Sequence, residues 1–397
     1  MHIFVHQIQR EQAMNKKNIS MLLLIGIVLL GGFFNKITPI NITIVLVIFF
    51  AAINIVKKPK RNSIFYVFYA FSFFFLLTAF YHEAINVYFV GYALHGSPSD
   101  FDIFGSFIRL FGYLLLVYVV AVFPIKEKQF KYIWNSLIVT SSLVALFCIL
   151  EYYYGIKIYN TEQIDIIMQG ELRVRGPFRD PNASSGMILP GMAVLFSNII
   201  HNQKKYFIPL ILLLFLFIGM STTSSRTGLV ALLVVFSLFL FLRSKTLSRV
   251  KKNTLLISLF TLGVFAIGFY LKSRELSFTA DASGNVRLSL LKYTGELILE
   301  APIFGHGLNG GFHNIFSDIS VSGGINLLGL FILLLWLIVK RLWKLRDEKN
   351  AYILLSILIG FIVVGLGISW TNNVVFWVLI GLGMNKYLGK GKNVISQ

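Results

Sequence analysis

Two histidines lie in a glycine-rich stretch of the last third of the sequence. The stretch extends from Gly305 to Asn314 and contains His306 and His313. Histidine is the side chain best matched to proton transfer near neutral pH. The glycines permit a tight loop, and because no strand precedes them a dinucleotide-binding fingerprint is excluded. The stretch therefore predicts a loop that presents a general base.

A cluster of arginines occurs about 130 residues earlier in the chain. Arg173 and Arg175 lead into the run Gly-Pro-Phe-Arg-Asp-Pro-Asn, which ends at Asn182. Arginine is the planar, bidentate ligand for phosphate oxygens. Asn182 is the expected N-cap of the helix that follows. The cluster therefore predicts a phosphate-binding loop, and anchoring of the arginines at a membrane interface is the alternative.

A third basic position opens another apolar run. Arg226 follows five consecutive hydroxyl residues, and Ser224 or Ser225 is the expected cap of the helix that begins there. The N-terminus of a helix favours an anion, so an arginine beside capped amides forms a phosphate cradle. The alternative is an arginine that extends to the membrane interface.

A fourth segment reads as an amphipathic helix between Val286 and Glu300. Its leucines and isoleucine recur at helical spacing, Arg287 lies in its first half, and Pro302 follows its end. A helix of this kind can lie along a membrane surface.

Metal chemistry has little support in the sequence. His306 and His313 would need further ligands, and Asp318 is the nearest candidate. The single cysteine, Cys148, can form neither a disulfide nor a thiolate site. We therefore expect no metal and no cofactor. Arg109 and Glu151 lie near the ends of two apolar runs and could pair or line a cavity, but the sequence assigns them no role.

The composition is that of a membrane protein. Of 397 residues, 56% are hydrophobic and only 13% are charged, with a mean hydropathy of +0.75. Soluble domains carry about 25% charged residues. A span needs about 20 apolar residues, and the sequence contains twelve candidate runs, some of them short. They cover residues 19–35, 38–56, 64–81, 103–124, 133–154, 184–200, 206–221, 226–243, 253–271, 323–340, 350–369 and 373–388.

The net charge of +19 sorts by side of the membrane. Basic residues concentrate in alternate loops, which the positive-inside rule places in the cytoplasm. This excludes nucleic acid as the reason for the charge. Both termini are then cytoplasmic: a segment 1–18, one integral-membrane domain 19–388 and a tail 389–397. The long extracytoplasmic loops are expected at about 82–102, 155–183 and 272–322. The cytoplasmic loops are short and contain no phosphate-binding motif.

The order of these motifs resembles that of the O-antigen ligase and polymerase family of integral-membrane glycosyltransferases. The likeness rests on the Gly-Pro-Phe-x-Asp-Pro-Asn run, Ser-Ser-Arg-Thr-Gly at a helix start, the Arg-bearing helix, Pro-Ile-Phe-Gly-x-Gly, and His-Asn before a glycine-containing span. It covers roughly residues 170–340.

The resemblance implies an all-α polytopic fold of the class C glycosyltransferase type, with about 12 transmembrane helices and a large extracytoplasmic loop carrying an amphipathic helix. It implies a metal-independent, inverting transfer from a glycan on undecaprenyl diphosphate to an acceptor glycan at the outer face of the cytoplasmic membrane. By resemblance His313 is the base or the residue that positions the acceptor, and Arg226 and Arg287 bind the diphosphate. Arg173 and Arg175 match less closely, and His306 is not carried over.

Three functions stay open at this point. The first is polymerisation of lipid-linked repeat units into a capsule, exopolysaccharide or O-antigen, with a flippase and a chain-length regulator as candidate partners. The second is ligation of finished glycan to a different acceptor. The third is a flippase or solute transporter, which the position of the charges near one end of the spans disfavours.

Overall fold

The computed structural model describes residues 18–30, 42–54, 62–85, 103–157, 174–178, 180–201, 206–243, 282–307, 312–371 and 373–388. In this part of the chain all regular structure is helical, in twelve helices. They are α1 Asn18–Leu30, α2 Ile42–Asn54, α3 Ser63–Ile85, α4 Ile103–Val122, α5 Glu127–Tyr154, α6 Pro181–His201, α7 Phe207–Thr222, α8 Arg226–Arg243, α9 Ala282–Glu300, α10 Ile315–Lys344, α11 Lys349–Gly365 and α12 Val374–Met384.

Eleven of the twelve predicted spans coincide with a described helix, as the apolar runs require when the backbone must satisfy its own hydrogen bonds. The remaining span, 253–271, lies outside the described residues, as do nearly all of the terminal segment 1–18, the tail 389–397 and parts of the three long loops. Four helices are long and apolar enough to cross a membrane: Ser63–Tyr81, Glu127–Tyr154, Pro181–His201 and Ile315–Lys344. The other apolar helices are shorter. The fold is therefore that of a polytopic helical membrane protein.

Helix α6 occupies the centre of the bundle. It packs against α5, α7, α8 and α11, and its side chains are buried from Pro181 to Ser197. Glycines permit these close contacts, because a Cβ on Gly191 would lie 2.5 Å from the Cβ of Ser141 on α5. Since α6 begins at the arginine-rich segment, a helix at the centre of the bundle also carries one of the candidate site segments.

A proline interrupts α6, and a serine of α5 repairs the ladder. Pro190 has no N–H and therefore disturbs the local hydrogen-bond ladder. The Ser141 hydroxyl donates to the Met187 carbonyl (2.7 Å) and accepts from the Gly191 N–H (3.0 Å). It thus bridges two backbone groups that would otherwise bond each other, which matters in a bilayer that offers no water to them.

The helices place polar side chains at two opposite ends of the bundle. At one end Glu151 lies in the last turn of α5 and Asp180 directly precedes α6; we call this the site end.

At the other end Trp134 donates to the Asn350 side chain at 2.8 Å, and Arg341 donates to the carbonyl oxygens of Gly383 (2.8 Å) and Asn385 (2.5 Å). Several described basic residues belong to this opposite end: Lys126, Lys128, Lys131, Lys344, Arg346, Lys349 and Lys386.

Helix α10 is broken at Gly323 and Gly324. Gly324 has a φ of +70°, a conformation that favours glycine, and the break releases nearby backbone groups from the helical ladder. The turn at 301–307 forms hydrogen bonds with these backbone groups instead. The N–H groups of His306 and Gly307 donate to the carbonyls of Val321 (2.7 Å) and Ser322 (3.1 Å), and the Ile325 N–H donates to the Pro302 carbonyl (2.9 Å).

The structure adds detail to two expectations in this region. Residues 315–322, which the sequence predicts to lie in the loop 272–322, form the first turns of α10, since Asn314 caps a helix there. A helix is present where the amphipathic helix is predicted, and it starts at Ala282 rather than Val286. Its Leu290, Thr294 and Leu297 are buried, whereas Leu288 and Leu291 are exposed. Pro302 follows its end, as predicted.

Candidate functional site

The N-terminus of α6 is organised by an aspartate. Asp180 accepts from the Asn182 N–H through Oδ1 (2.6 Å), and its carbonyl accepts from the N–H groups of Ala183 (3.0 Å) and Ser184 (3.3 Å). The prediction of Asn182 as the cap is therefore wrong. Pro181 lacks an N–H and has a φ suited to the first helical position, so the residue before it becomes the cap.

Asn182 instead joins α6 to α8. Its side-chain oxygen accepts from the hydroxyls of Ser225 (2.7 Å) and Thr227 (2.9 Å), and Ser225 also lies 2.9 Å from the hydroxyl of Ser185. This buried polar cluster is internally hydrogen-bonded, which a low-dielectric environment demands. It fixes the residues on both sides of Arg226 relative to Asp180.

The start of α8 agrees with the expectation from the sequence. The hydroxyl of Ser225 accepts from the Gly228 N–H (3.1 Å), and its carbonyl accepts from the Leu229 N–H (3.1 Å). Ser225 is therefore the N-cap, and Arg226 is the first helical residue, with an exposed side chain. Gly228 permits the close approach of α6, because a Cβ there would lie 2.5 Å from Ser185.

The candidate base faces the cap of α6. Nδ1 of His313 lies 3.7 Å from Oδ2 of Asp180, within ion-pair range and beyond hydrogen-bond range. The side chain of His313 is 39% exposed and that of Asp180 is 23% exposed, so both can be reached by a substrate. The structure thus brings His313 to the N-terminus of α6, although 133 residues separate His313 from Asp180 in the sequence.

Backbone strain marks the same place. Within the described residues two non-glycine residues have positive φ: Ser224 at 51° and His313 at 52°. Such a conformation is uncommon and costs about 1–3 kcal/mol, so it persists where surrounding contacts enforce it. One strained residue precedes the cap of α8 and the other is the candidate base, which supports a functional role for this end of the bundle.

Arg175 lies on the same side of the site. Its N–H and that of Gly176 donate to Glu151 Oε2 (3.2 and 2.6 Å), and its carbonyl accepts from the Ser184 hydroxyl. Burial lowers the pKa of the Arg175 guanidinium, whereas the carboxylates of Asp180 and Glu151 favour its charged form. The sequence assigned no role to Glu151. In the structure its carboxylate binds the segment before α6 to the end of α5.

The other predicted residues are placed differently. Arg287 is half-buried on α9, six residues before Tyr293, which corresponds to about 9 Å along a helix. The Tyr293 ring stacks on Phe312 at 6.4 Å, so α9 meets the histidine segment through Tyr293 rather than through Arg287. Arg173 lies outside the described residues. Arg109 is the first residue of α4 whose side chain is described, and it is half-buried.

His306 has a local role. Its Nε2 lies 2.8 Å from the Leu297 carbonyl and 4.0 Å from Glu300 Oε2, and its side chain is only 11% exposed. These contacts fasten the turn 301–307 to α9. Of the two histidines in the glycine-rich stretch, the structure therefore places His313 at the site and His306 in the turn.

Sequence reasoning missed two contributors. Asp180 could have been found, because an aspartate directly before a proline is a typical helix start. Thr371, in the segment between α11 and α12, lies 3.5 Å from Asp318 on α10 and had no detectable signal. Within the described residues no group of three His, Cys, Asp or Glu side chains lies close enough together to hold a metal ion.

Residues 210–332 match the family model described as O-Antigen ligase. The match confirms the resemblance to the O-antigen ligase and polymerase family within this segment, which contains Arg226, Arg287 and His313. Arg175 and Asp180 lie before it. No curated protein matches the chain. Ligases and polymerases of this kind are glycosyltransferases, so the match supports an enzyme of that general class.

Proposed function

We propose that this protein polymerises undecaprenyl-diphosphate-linked oligosaccharide repeat units into a surface polysaccharide at the outer face of the cytoplasmic membrane. The single observation that carries the proposal is the meeting of His313 and Asp180 beside the N-terminus of α8, where Arg226 begins the helix. A general base and a phosphate-binding helix start are the two groups that glycosyl transfer from a lipid diphosphate needs.

The chemistry assigns one task to each group. His313 removes the proton from an acceptor hydroxyl, and the hydroxyl oxygen attacks the anomeric carbon of the donor. The bond from that carbon to the diphosphate breaks, and the lipid diphosphate leaves with the electron pair. Attack opposite the leaving group inverts the anomeric centre. Asp180 stabilises the imidazolium that forms, since a carboxylate 3.7 Å away favours the charged ring.

Arginines neutralise the leaving diphosphate. Arg226 is exposed at the N-terminus of α8, where the helix dipole also favours an anion. Arg175 lies beside Asp180 at the start of α6. We propose that Arg226 binds the diphosphate. Arg175 contributes from the segment before α6, and Arg287 contributes from α9. Arg173 belongs to the loop that contains Arg175. In this proposal the reaction needs no energy-supplying cofactor, because the donor is already activated, and no metal, because the arginines neutralise the diphosphate.

The orientation follows from charge. The end opposite the site carries several lysines and arginines, among them Lys126, Lys349 and Lys386. The positive-inside rule places that end in the cytoplasm and the site end outside. The chain would then receive its donor from a flippase and act with a chain-length regulator, with capsule, exopolysaccharide or O-antigen as the product.

Ligation is the second candidate, because the matching family model is described as O-Antigen ligase. A ligase would use the same base and the same cationic groups and would transfer finished glycan to a different acceptor. The two functions differ in what accumulates when the chemistry stops.

The test uses a strain from which the gene has been deleted, complemented with the wild type, with His313→Ala or with His306→Ala. Lipid-linked glycans are extracted, sized and assigned to a side of the membrane. Polymerisation predicts that the deletion and His313→Ala accumulate single units outside, and loss of the base lowers the rate by about 10²–10⁴-fold. His306→Ala, the matched control, should restore long polymer.

Other outcomes decide against the proposal. Long lipid-linked chains outside would indicate a ligase, and single units trapped inside would indicate a transporter. Full surface polymer with His313→Ala would show that the base has been placed wrongly.

A further inference from the structure

His313 has an uncommon backbone conformation, and a buried acid binds the residue before it. His313 has a φ of 52°, a conformation that most residues avoid. The preceding amide is fixed, because the Phe312 N–H donates to Oδ1 of Asp318 at 3.1 Å. Asp318 is 1% exposed and lies in the first turn of α10. The residue that precedes the candidate base is therefore bound directly to a side chain in the protein interior.

The same carboxylate reaches a second segment. Its Oδ2 lies 3.5 Å from the hydroxyl of Thr371, which follows α11. The Asp318 N–H donates to the Asn314 carbonyl (2.9 Å), and the Asn314 amide lies 3.4 Å from the Leu366 carbonyl. Asp318 thus joins the chain before α10 to the segment between α11 and α12. On the other side, Phe312 stacks against Tyr293 of α9.

We propose that Asp318 is a positioning residue for His313. Its carboxylate accepts the Phe312 N–H and thereby orients the His313 backbone so that the imidazole faces Asp180. The inference rests on the proposed function, in which His313 is the base. It gives Asp318 a different task from that of a metal ligand, because one carboxylate oxygen accepts from Phe312 and the other faces Thr371.

The expected size of the effect follows from geometry. Displacement of a reacting group by about 1 Å can lower a rate by about 10²-fold. Removal of the carboxylate releases the Phe312 amide and leaves His313 free to relax from its positive φ. The loss should fall on turnover rather than on donor binding, because Asp318 does not belong to the arginine groups that bind the diphosphate.

The first experiment compares Asp318→Ala with Asp318→Asn in the full-length purified protein. The donor is the lipid-linked glycan extracted from the deletion strain. An asparagine still offers an oxygen to the Phe312 N–H, so it should retain kcat within about threefold, whereas alanine should lower kcat by about 10²-fold with little change in KM. Equal loss in both variants would show that the negative charge itself is needed and would overturn the proposal. Full activity in both would overturn it too.

The second experiment does not depend on activity. Hydrogen exchange of the peptide that contains Phe312 should accelerate in Asp318→Ala and remain as in the wild type in Asp318→Asn, with α5 and α6 unchanged in both. Faster exchange throughout the bundle in Asp318→Ala would indicate general destabilisation and would overturn a local positioning role.

A double variant separates this proposal from the proposed function. If Asp318 acts through His313, adding Asp318→Ala to His313→Ala should cause no further loss of transfer. A further tenfold loss would indicate an independent role and contradict the inference. If His313→Ala alone retained full activity, the proposed function would fail, while the exchange measurement would still decide whether Asp318 holds the backbone.

Discussion

His313 and Asp180 meet across the helix bundle, with Nδ1 of the histidine 3.7 Å from Oδ2 of the aspartate. The aspartate also caps α6 through its other carboxylate oxygen. One side chain therefore both caps the central helix α6 and faces the candidate base. Because the two roles use different oxygens, a substitution that keeps the cap and removes the charge can separate them.

Asp180→Asn should lower glycan transfer without unfolding the protein. Asparagine caps helices about as well as aspartate, whereas it carries no charge to stabilise an imidazolium. We expect a reduction in kcat of roughly tenfold and an unchanged thermal unfolding temperature. Asp180→Ala, which also removes the cap, should in addition lose about 1 kcal/mol of stability. Unchanged transfer in Asp180→Asn would exclude an electrostatic role for the pair.

Arg226→Lys should bind the donor poorly even though the positive charge is kept. A lysine cannot reproduce bidentate contact with phosphate oxygens. We expect a KM for the lipid-linked donor at least several-fold higher than in the wild type, and a larger rise in Arg226→Ala. Donor titrations in detergent or nanodiscs measure this. Wild-type kinetics in both Arg226→Lys and Arg226→Ala would show that Arg226 does not bind the donor.

Arg287→Ala tests the contribution of α9, with Lys292→Ala as the matched control on the same helix. Arg287 is half-buried, whereas Lys292 is exposed. We expect Arg287→Ala to reduce transfer by roughly tenfold or more, as loss of a charge-assisted contact of about 1.5–3 kcal/mol implies, and Lys292→Ala to leave it unchanged. Equal effects of the two substitutions would point to the general charge of α9 rather than to a specific contact.

Gly228→Ala should destabilise the junction between α6 and α8. The added Cβ would lie 2.5 Å from Ser185, and overpacking of this kind costs about 1–3 kcal/mol. Gly295→Ala is the matched control, because a Cβ there meets nothing within 4 Å, and alanine favours a helix by about 1 kcal/mol. Thermal unfolding should shift downwards for the first variant and not for the second. The opposite order would contradict close packing of α6 against α8 at Gly228.

Removal of metal ions should leave transfer unchanged. In the proposed mechanism arginines neutralise the diphosphate and a histidine is the base, so no step uses a metal cation. Purified protein treated with a chelator should therefore polymerise lipid-linked units at the untreated rate. Loss of activity that returns on addition of a divalent cation would contradict this expectation.

Much of the architecture could be predicted from the sequence, because a bilayer imposes one strong rule on the backbone. Apolar runs of suitable length must be helices. Helix α6 lies within three residues of its predicted span at both ends, whereas α5 and α10 contain their predicted spans but begin six and eight residues earlier. The cap at Ser225 was equally accessible, since capping depends on a local side-chain contact. The cap of α6 was misassigned because Pro181 takes the first helical position, so that Asp180, two residues before the predicted Asn182, is the cap.

The sequence by itself determined some of the residue types in the candidate site: a histidine in a glycine-rich loop and an arginine at a helix start. Only the tertiary structure decided which of them meet. His313 and Asp180, Asn182 and Ser225, and Asp318 and Thr371 are pairs separated by 43 to 133 residues. Their proximity depends on how the helices pack around α6, and packing depends on close contacts between whole helix faces, such as that of Gly228 with Ser185. The spacing of residues along the chain does not predict those contacts.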